Sequence, residues 1–270
     1  MNPFEYFSTL PGLSLGGVRR YQITGSTNDD ALLWAAEGAP DQCLVTAEEQ
    51  NAGRGRFDRR WVTRSGSALA LSVLLRLTPE EKEKLTLFSP LGALAVCDAL
   101  EDLGLQPQIK WPNDVLLGRR KVCGILSEAA WLGDQLEAVV IGLGINVLAG
   151  SNPPDDQVLY PATCVADHLP QPPDREALLA AVVKAVLLRR SQIGSEEFLA
   201  AWRKRMAFVG EWIGLDGPGF RRRARVLDID LEGNLITDDE TGGRTAIAVG
   251  EIHLRPLDTD DEDYLGGKHV

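Results

Sequence analysis

The sequence predicts an α/β protein that is followed by a small β-barrel. Between residues 26 and 206, apolar runs typical of strands alternate with stretches of helical periodicity. From Glu211 onward the pattern changes to short apolar runs separated by glycine-rich turns. Hydrophobic residues make up 44% of the 270-residue chain and charged residues 25%, which is typical of a globular protein.

The first half of the chain is predicted to contain two helices and five strands. The first helix covers residues 26–38, where Ser26, Thr27 and Asn28 offer capping oxygens and Gly38 favours the end. The second helix begins at Ser89 and ends before Gly104. The strands are predicted over residues 43–46, 67–77, 109–117, 122–130 and 136–147, with a hairpin turn at residues 118–120.

The second half begins with a proline-rich stretch, residues 151–173, which predicts a loop. Asp174 and Ser195 are placed as caps of two further helices, over residues 175–190 and 195–206. Residues 1–208 should then form the main domain, residues 209–257 the barrel, and residues 258–270 an acidic, disordered tail. The barrel strands are predicted over residues 220–229, 234–237, 245–249 and 251–254.

Charge and composition exclude several function classes. The net charge of −11 and the pI near 4.8 argue against nucleic acid as a partner. The four cysteines form no short ligand spacing and follow no secretory segment, which indicates a reducing cytoplasm. No apolar run approaches the roughly 20 residues that a membrane-spanning helix needs.

An arginine-glycine segment is the clearest candidate for binding chemistry. Residues 54–64 contain five arginines and one acid, on an acidic protein. Gly53 and Gly55 allow backbone N–H groups to approach an oxyanion, and guanidinium groups bind phosphate or carboxylate in pairs of hydrogen bonds. The alternative is a solvated basic loop. The segment matches neither a Walker loop nor a dinucleotide fingerprint.

A second constellation combines Lys110-Trp111-Pro112-Asn113-Asp114 with Lys121-Val122-Cys123-Gly124. Strict strand alternation would put Lys121 and Cys123 on one face and Val122 and Gly124 on the other. A lysine could then reach a pocket beside a residue without a side chain. An exposed edge lysine and a turn-capping Asp114 are the simpler alternatives.

Several motifs together resemble the biotin protein ligases (biotin–[acetyl-CoA-carboxylase] ligases). The likeness runs in the same order and spacing from about residue 20 to residue 257. It implies a central mixed β-sheet flanked by helices, related to the class II synthetase-like catalytic fold, with a C-terminal SH3-like barrel. The motifs are Ser26-Thr27-Asn28, Gln50 with Gly53-Arg54-Gly55-Arg56, the two lysine segments named above, Gly142-Leu143-Gly144-Ile145-Asn146, and Gly250-Glu251-Ile252 with Leu254-Arg255.

The resemblance implies a two-step activation that uses biotin, ATP and Mg²⁺. The biotin carboxylate attacks the α-phosphate of ATP and releases pyrophosphate, and the biotinyl-adenylate is then attacked by a lysine of a biotin carboxyl carrier domain. Such chemistry needs closely placed cations, because both reactants are anionic. The mixed anhydride is itself the activated acyl group, so no nucleophilic side chain is required.

The same resemblance implies roles for individual residues. Lys121, Arg56 and Asp114 are the expected catalytic residues, with Lys121 bridging the carboxylate and the α-phosphate and Asp114 orienting the site or accepting a proton. The expected biotin-binding residues are Ser26, Thr27, Asn28, Gln50, Arg54, Gly55, Arg56, Lys121 and Gly124. The expected ATP-binding residues are Arg54, Arg56, Arg59, Trp61, Lys110, Asn113, Lys121 and Asn146.

Metal ligands are not expected from the histidines or cysteines, since His168, His253 and His269 have no zinc spacing. Mg²⁺ would arrive with ATP. Asp58 stands where the family usually has glycine, and an acid there could pair with Arg59 or Arg60.

The remaining alternatives concern function and assembly. A lipoate or octanoate ligase would share the fold and the adenylate, but Gln50 and the Ser26-Thr27-Asn28 turn favour a ureido ligand. A non-catalytic sensor of biotin or its adenylate would keep the pocket without transfer. Only 25 residues precede Ser26, so DNA binding through a helix-turn-helix is not expected. A homodimer is compatible with the sequence but does not follow from it.

Overall fold

Two β-sheets organise the chain in the computed structural model. The described residues are 4–10, 12–57, 59–61, 64–152, 158, 160–217, 220–248 and 253–256. The acidic tail at 258–270, Asp58 and the Gly250–Ile252 motif lie outside this part of the chain, so the expectations placed on them stay predictions.

The larger sheet has eight strands in the order β1-β2-β3-β4-β8-β7-β6-β5. The pair β2 and β3 is parallel and the other neighbours are antiparallel, so the sheet is mixed, as predicted. The strands are β1 Phe4–Leu10, β2 Leu13–Thr24, β3 Cys43–Gln50, β4 Ala68–Arg76, β5 Gln108–Lys110, β6 Asp114–Leu117, β7 Arg120–Leu132 and β8 Gln135–Asn146.

Helices cover both faces of this sheet. Helix α1 packs on one face, where Trp34 meets Val45 and Val140 in a small core. Helices α3, α4 and α5 share a larger core with the opposite face. Because both faces are covered, the central strands are apolar along nearly their whole length. The helices are α1 Thr27–Ala36, α2 Pro79–Lys82, α3 Phe88–Glu101, α4 Arg175–Arg190 and α5 Glu196–Arg205.

The two late helices begin where the sequence predicted. Asp174 accepts hydrogen bonds from the backbone N–H groups of Glu176 and Ala177, and Ser195 accepts one from Phe198. These side chains satisfy N–H groups that have no partner within the helix. The caps of α4 and α5 are therefore confirmed.

The smaller sheet is antiparallel, with five strands among the described residues in the order β12-β11-β10-β9-β13. It agrees with the predicted SH3-like barrel. It meets the larger sheet at Trp111, whose indole Nε1 donates to the carbonyl oxygen of Gly233 at 3.0 Å. The strands are β9 Trp212–Gly217, β10 Phe220–Ile229, β11 Leu235–Asp238, β12 Arg244–Ile247 and β13 His253–Pro256.

Two sequence predictions differ from this architecture. Residues 109–117 form two short strands instead of one, separated by a turn at Trp111-Pro112-Asn113. Proline cannot donate to a strand ladder, so the strand ends there. The hairpin of β1 and β2 was not predicted, because glycines at positions 12, 16 and 17 interrupt its alternation.

Candidate active site

All the predicted site residues line one cavity of about 480 Å³. It opens at the end of the larger sheet where α1 begins, β3 ends and β7 begins. The predicted residues on its wall are Ser26, Thr27, Asn28, Gln50, Arg54, Gly55, Arg56, Arg59, Trp61, Lys110, Asn113, Asp114, Lys121, Gly124 and Asn146.

One end of the cavity is a chain of neutral polar groups. Gln50 Oε1 accepts hydrogen bonds from Thr27 N at 2.8 Å and Thr27 Oγ1 at 3.1 Å. Ser72 Oγ lies 2.8 Å from Thr27 Oγ1 and 2.6 Å from Asn28 Oδ1. All four side chains are buried, so they satisfy one another's hydrogen-bonding groups in place of water. We call this set, with Ser26, the neutral end.

The predicted capping of α1 by side chains of its own first turn is wrong. Ser26 occupies the N-cap position, but its side chain makes no capping hydrogen bond. The N–H of Thr27 is satisfied instead by Gln50, which comes from the end of β3. Ser72 was missed altogether, because it lies within the apolar run of β4 and nothing local distinguishes it.

Glycines along the cavity leave space for the side chains of Asn28 and Trp61. A Cβ on Gly142 would collide with the Asn28 amide, and one on Gly144 would collide with the indole of Trp61. Gly144 faces Gly124 across the β7–β8 pair, and a Cβ on Gly124 would lie 3.2 Å from the same indole. The Trp61 ring therefore lies on a floor without side chains. Its buried Nε1 has no hydrogen-bond partner within the described residues.

The other end of the cavity is cationic and is organised by Asp114. Its Oδ1 lies 2.6 Å from Lys121 Nζ and its Oδ2 lies 3.3 Å from Lys110 Nζ. Arg56 approaches from the arginine-glycine segment, with Nη1 3.3 Å from Asn113 Oδ1. We call Lys110, Lys121, Arg56 and Asp114 the cationic end.

The pKa shifts follow from this crowding. Burial by itself would raise the pKa of Asp114, but the fields of Lys121 and Lys110 outweigh it and hold the pKa below its usual value. Burial lowers the pKa of Lys110, although Asp114 opposes that shift. Burial likewise lowers the pKa of Arg56. Asp114 is therefore an ionised carboxylate shared by two ammonium groups.

The face predicted for Lys121 is wrong, and a β-bulge is the reason. In the β6–β7 pair, Val115 faces Cys123 but Leu116 faces Lys121, so Val122 is an extra residue. A bulge breaks the period of two. Lys121 and Gly124 consequently line the same cavity, whereas Cys123 is fully buried in the core.

The arginine-glycine segment folds back on itself. Arg54 and Arg60 form an isolated antiparallel bridge, Gly55 N donates to Arg59 O at 2.7 Å, and Trp61 N donates to Gly53 O at 2.8 Å. Within residues 54–64 the sequence contains one acid, Asp58. The fold brings further acids to this segment from distant positions.

Those distant acids are Glu128 on β7 and Asp29 on α1. Both Nη atoms of Arg54 lie 2.9 Å from Glu128, and Nη2 lies 2.5 Å from Asp29. Burial opposes the charge of Arg54, but the hydrogen bonds to these acids raise its pKa above the ordinary value.

The proline-rich stretch supplies a wall that the sequence did not predict. Ala162 forms a parallel bridge with Lys121, and Tyr160 places its ring 5.3 Å from Lys110 Nζ. Burial raises the pKa of Tyr160 to about 12. Asn146 donates to Thr163 O at 3.1 Å, which fastens the end of β8 to the same stretch.

Within the described residues there is no group of three or more His, Cys, Asp or Glu side chains that could hold a metal ion. His168 is engaged by Thr163 Oγ1 at 2.9 Å. The side chains of His253 and His269 lie outside the described residues. In the part of the chain that the structure covers, no helix has the length and apolar character to cross a membrane.

Comparisons with known proteins decide the family. The model of the biotin/lipoate A/B protein ligase family matches residues 21–146. A biotin--[acetyl-CoA-carboxylase] ligase of Mycobacterium tuberculosis is 34% identical over 242 residues, which cover 86% of this chain and 87% of that relative. The chain belongs to the biotin protein ligase family.

Two further relatives of this biotin protein ligase family member show how much of the chain and of the fold is shared. It is 32% identical to the bifunctional ligase/repressor BirA of Bacillus subtilis over 82% of its own length and 66% of that relative. A biotin protein ligase from Aquifex aeolicus, solved in complex with biotin and ATP, matches it with a TM-score of 0.76 and 27% identity. That match covers 89% of this chain and 99% of the Aquifex chain. The fold predicted from the family resemblance is thereby confirmed.

Proposed function

We propose that the protein activates biotin with ATP as biotinyl-5′-AMP and transfers the biotinyl group to a lysine of a carrier domain. In the first step a carboxylate oxygen of biotin bonds to the α-phosphorus and pyrophosphate leaves. In the second step the lysine amine bonds to the acyl carbon and AMP leaves. The observation that carries the proposal is one cavity with a neutral end next to a cationic end.

The neutral end suits a ureido ring, which is uncharged and presents both N–H donors and a carbonyl acceptor. We assign Ser26, Thr27, Asn28 and Gln50 to this ring. Their burial excludes competing water, so each correctly paired hydrogen bond discriminates against ligands that lack the partner. An apolar dithiolane or alkyl chain could not use the donor and acceptor capacity that these groups retain beyond their bonds to each other, which favours biotin over lipoate or octanoate. Gly55 allows the ligand to approach the backbone closely, and Gly124 leaves room for Lys121 and the Trp61 ring beside the ligand.

The cationic end suits the reacting groups. A carboxylate near −1 must approach a polyphosphate near −4, and cations already in place lower that barrier because they need no reorganisation. We assign Lys121 to the carboxylate and the α-phosphate, with Arg56 as the guanidinium that retains the adenylate. Lys121 and Arg56 approach from different elements, β7 and the arginine-glycine segment.

Asp114 orients this end. Its two oxygens face the two ammonium groups, and its lowered pKa makes it a weak base. We therefore give it the role of holding Lys121 and Lys110 in place, in preference to proton abstraction from the incoming lysine.

The nucleotide would extend over Lys110, Asn113, Arg59, Trp61 and Asn146, which line the same cavity. The Trp61 ring offers an aromatic face, and stacking on an aromatic face is a common mode of base recognition. Mg²⁺ would enter with the triphosphate, as is usual for this ion, and neutralise part of its charge.

The partner belongs to the same proposal. Relatives named for acetyl-CoA carboxylase lead us to propose the biotin carboxyl carrier domain of such an enzyme as the acceptor. We place the reaction in the cytoplasm, because all four cysteines are free and buried.

The test is to incubate the protein with ATP, Mg²⁺, a carrier domain and labelled biotin, lipoate or octanoate in parallel. Label on the carrier lysine from biotin alone supports the proposal. Transfer of lipoate or octanoate at a higher rate would replace it with that of the related acyl ligase. Tight retention of biotinyl-AMP without labelled carrier would identify a sensor.

A further inference from the structure

Glu128 lies outside the cavity wall yet contacts two residues that line it, Asn28 and Arg54. Its Oε2 accepts a hydrogen bond from Asn28 Nδ2 at 2.6 Å, and its two oxygens accept one bond each from Arg54 at 2.9 Å. Only 23% of its side chain is exposed, against 57% for Asp29, the other acid on Arg54. A half-buried bidentate pair is the stronger of the two contacts.

The bond to Asn28 sets the direction of its amide. An amide has two donor hydrogens on nitrogen and an acceptor oxygen on the other side. Here Nδ2 points to Glu128 and to the carbonyl oxygen of Leu126 at 3.1 Å, while Oδ1 points to Ser72. A carboxylate can only accept, so Glu128 excludes the flipped orientation, in which Oδ1 would face it.

The bonds to Arg54 hold the arginine-glycine segment. Arg54 is bridged to Arg60 through the backbone, and the next rung joins Gly53 O to Trp61 N. Fixing the Arg54 side chain therefore fixes the base of the segment that places the Trp61 ring on Gly124 and Gly144.

Arg54 also differs from Arg56 in the charge around it, because Arg54 lies between the carboxylates of Glu128 and Asp29. One guanidinium between two carboxylates has a net charge of −1, which does not attract a polyphosphate. Arg56 lies elsewhere: its Nη1 is 3.3 Å from Asn113 Oδ1, and it lies in the field of the Asp114 carboxylate. Arg54 and Arg56 each follow a glycine directly, but Arg54 is bound to carboxylates whereas Arg56 lies against the Asn113 amide.

We infer that Glu128 is a positioning residue for the ureido ligand, acting through Asn28 and Arg54, and that the Arg54 guanidinium anchors the segment instead of binding the nucleotide. The inference rests on the proposed function. It assigns a role to a residue that no motif of the chain marks, and it changes the role expected of Arg54.

The test measures the dissociation constant of biotin by titration calorimetry without ATP, and the KM of ATP in adenylate formation. In Glu128→Gln the NH₂ group must face an Arg54 donor in either orientation, and in one of them it faces Asn28 Nδ2 as well, so we expect biotin binding to weaken roughly tenfold or more. The KM of ATP should stay within about twofold of wild type. The matched control is Asp29→Asn, which touches only the exposed side of Arg54 and should change biotin binding less than about threefold.

A double-mutant cycle separates positioning from general damage to the fold. Arg54→Ala should weaken biotin binding by a smaller factor than Glu128→Gln, and the double variant should be no worse than Glu128→Gln, because the residues act through one another. A rise in the KM of ATP in Arg54→Ala with unchanged biotin affinity overturns the inference, as does wild-type biotin affinity in Glu128→Gln. Wild-type protein that binds no biotin overturns the proposed function itself.

Discussion

The two ends of the cavity differ in how completely their groups are paired. At the neutral end the side chains of Thr27, Asn28, Gln50 and Ser72 are hydrogen-bonded to one another, and the network continues from Asn28 to Glu128. At the cationic end, Lys110 and Lys121 share the carboxylate of Asp114, and Arg56 lies in the field of the same carboxylate. The first arrangement is prepared for a neutral ligand, while the second carries an excess of positive charge. One cavity can therefore recognise a ligand by hydrogen-bond geometry at one end and by charge at the other.

The largest expected effect is at the cationic end. Lys121→Ala removes an ammonium group where charge develops, and we expect roughly a 100-fold loss in the rate of adenylate formation. Biotin binding without ATP should change far less. The measurement is pyrophosphate release, with exposed Lys82→Ala as the control. A near-normal rate would show that the Lys121 ammonium group does not stabilise the reacting charge, and the proposed difference between the two ends would then be wrong.

The next effect concerns pH. Burial lowers the pKa of Lys110 from the ordinary 10.5, so its charge is lost as pH rises, and the alkaline limb of adenylate formation should lie below pH 10.5. Asp114→Asn removes the carboxylate that opposes this shift. We expect a loss of about tenfold in rate and an alkaline limb at lower pH, because the ammonium is no longer stabilised. If the alkaline limb of the pH–rate profile stays at the wild-type pH in Asp114→Asn, Asp114 does not stabilise the Lys110 ammonium group.

A comparable probe of the neutral end is Gly142→Ala. Its Cβ would collide with the Asn28 amide, and overpacking of this kind costs about 1–3 kcal/mol. Biotin affinity should fall roughly tenfold while the KM of ATP changes little. Calorimetry with biotin and initial rates at varied ATP provide the two values. Equal losses for both ligands would mean that the two ends do not act separately.

The smallest expected effect comes from the contact with the second sheet. Trp111→Phe keeps an aromatic side chain but removes the indole N–H that bonds to Gly233 O, and the loss of this bond should lower the free energy of unfolding by about 1 kcal/mol. Because Trp111 lies in the turn between Lys110 and Asp114, we expect the rate of adenylate formation to fall more than biotin affinity. Denaturant unfolding and both activity measurements check this, and a selective loss of biotin affinity would contradict it.

Much of the fold could be predicted from local pattern. The period of the apolar residues indicated the helices that became α3, α4 and α5, and Asp174 and Ser195 marked two of their starts. The β1–β2 hairpin was missed, since its glycines weaken the alternation. The break at Pro112 was missed because the apolar content on both sides is typical of one strand.

The residues of the candidate site were likewise predicted in part. Its cavity-lining residues were predicted through ordered motifs, and their types already indicated a neutral ligand beside an anionic one. Ser72, Tyr160 and Glu128 were not predicted. Ser72 lies in an apolar run, Tyr160 in a stretch interpreted as a loop, and Glu128 beyond the last motif residue of its strand.

The kinds of element and of chemical group therefore follow from local sequence, because helix periodicity, capping and motif spacing involve residues close along the chain. The partner of each group, in contrast, depends on the folded arrangement of distant segments. The bulge at Val122 placed Lys121 beside Gly124, and the pairing of distant elements brought Glu128 to Arg54, 74 residues away. Such contacts depend on strand register and sheet order, and no local pattern of residues encodes either.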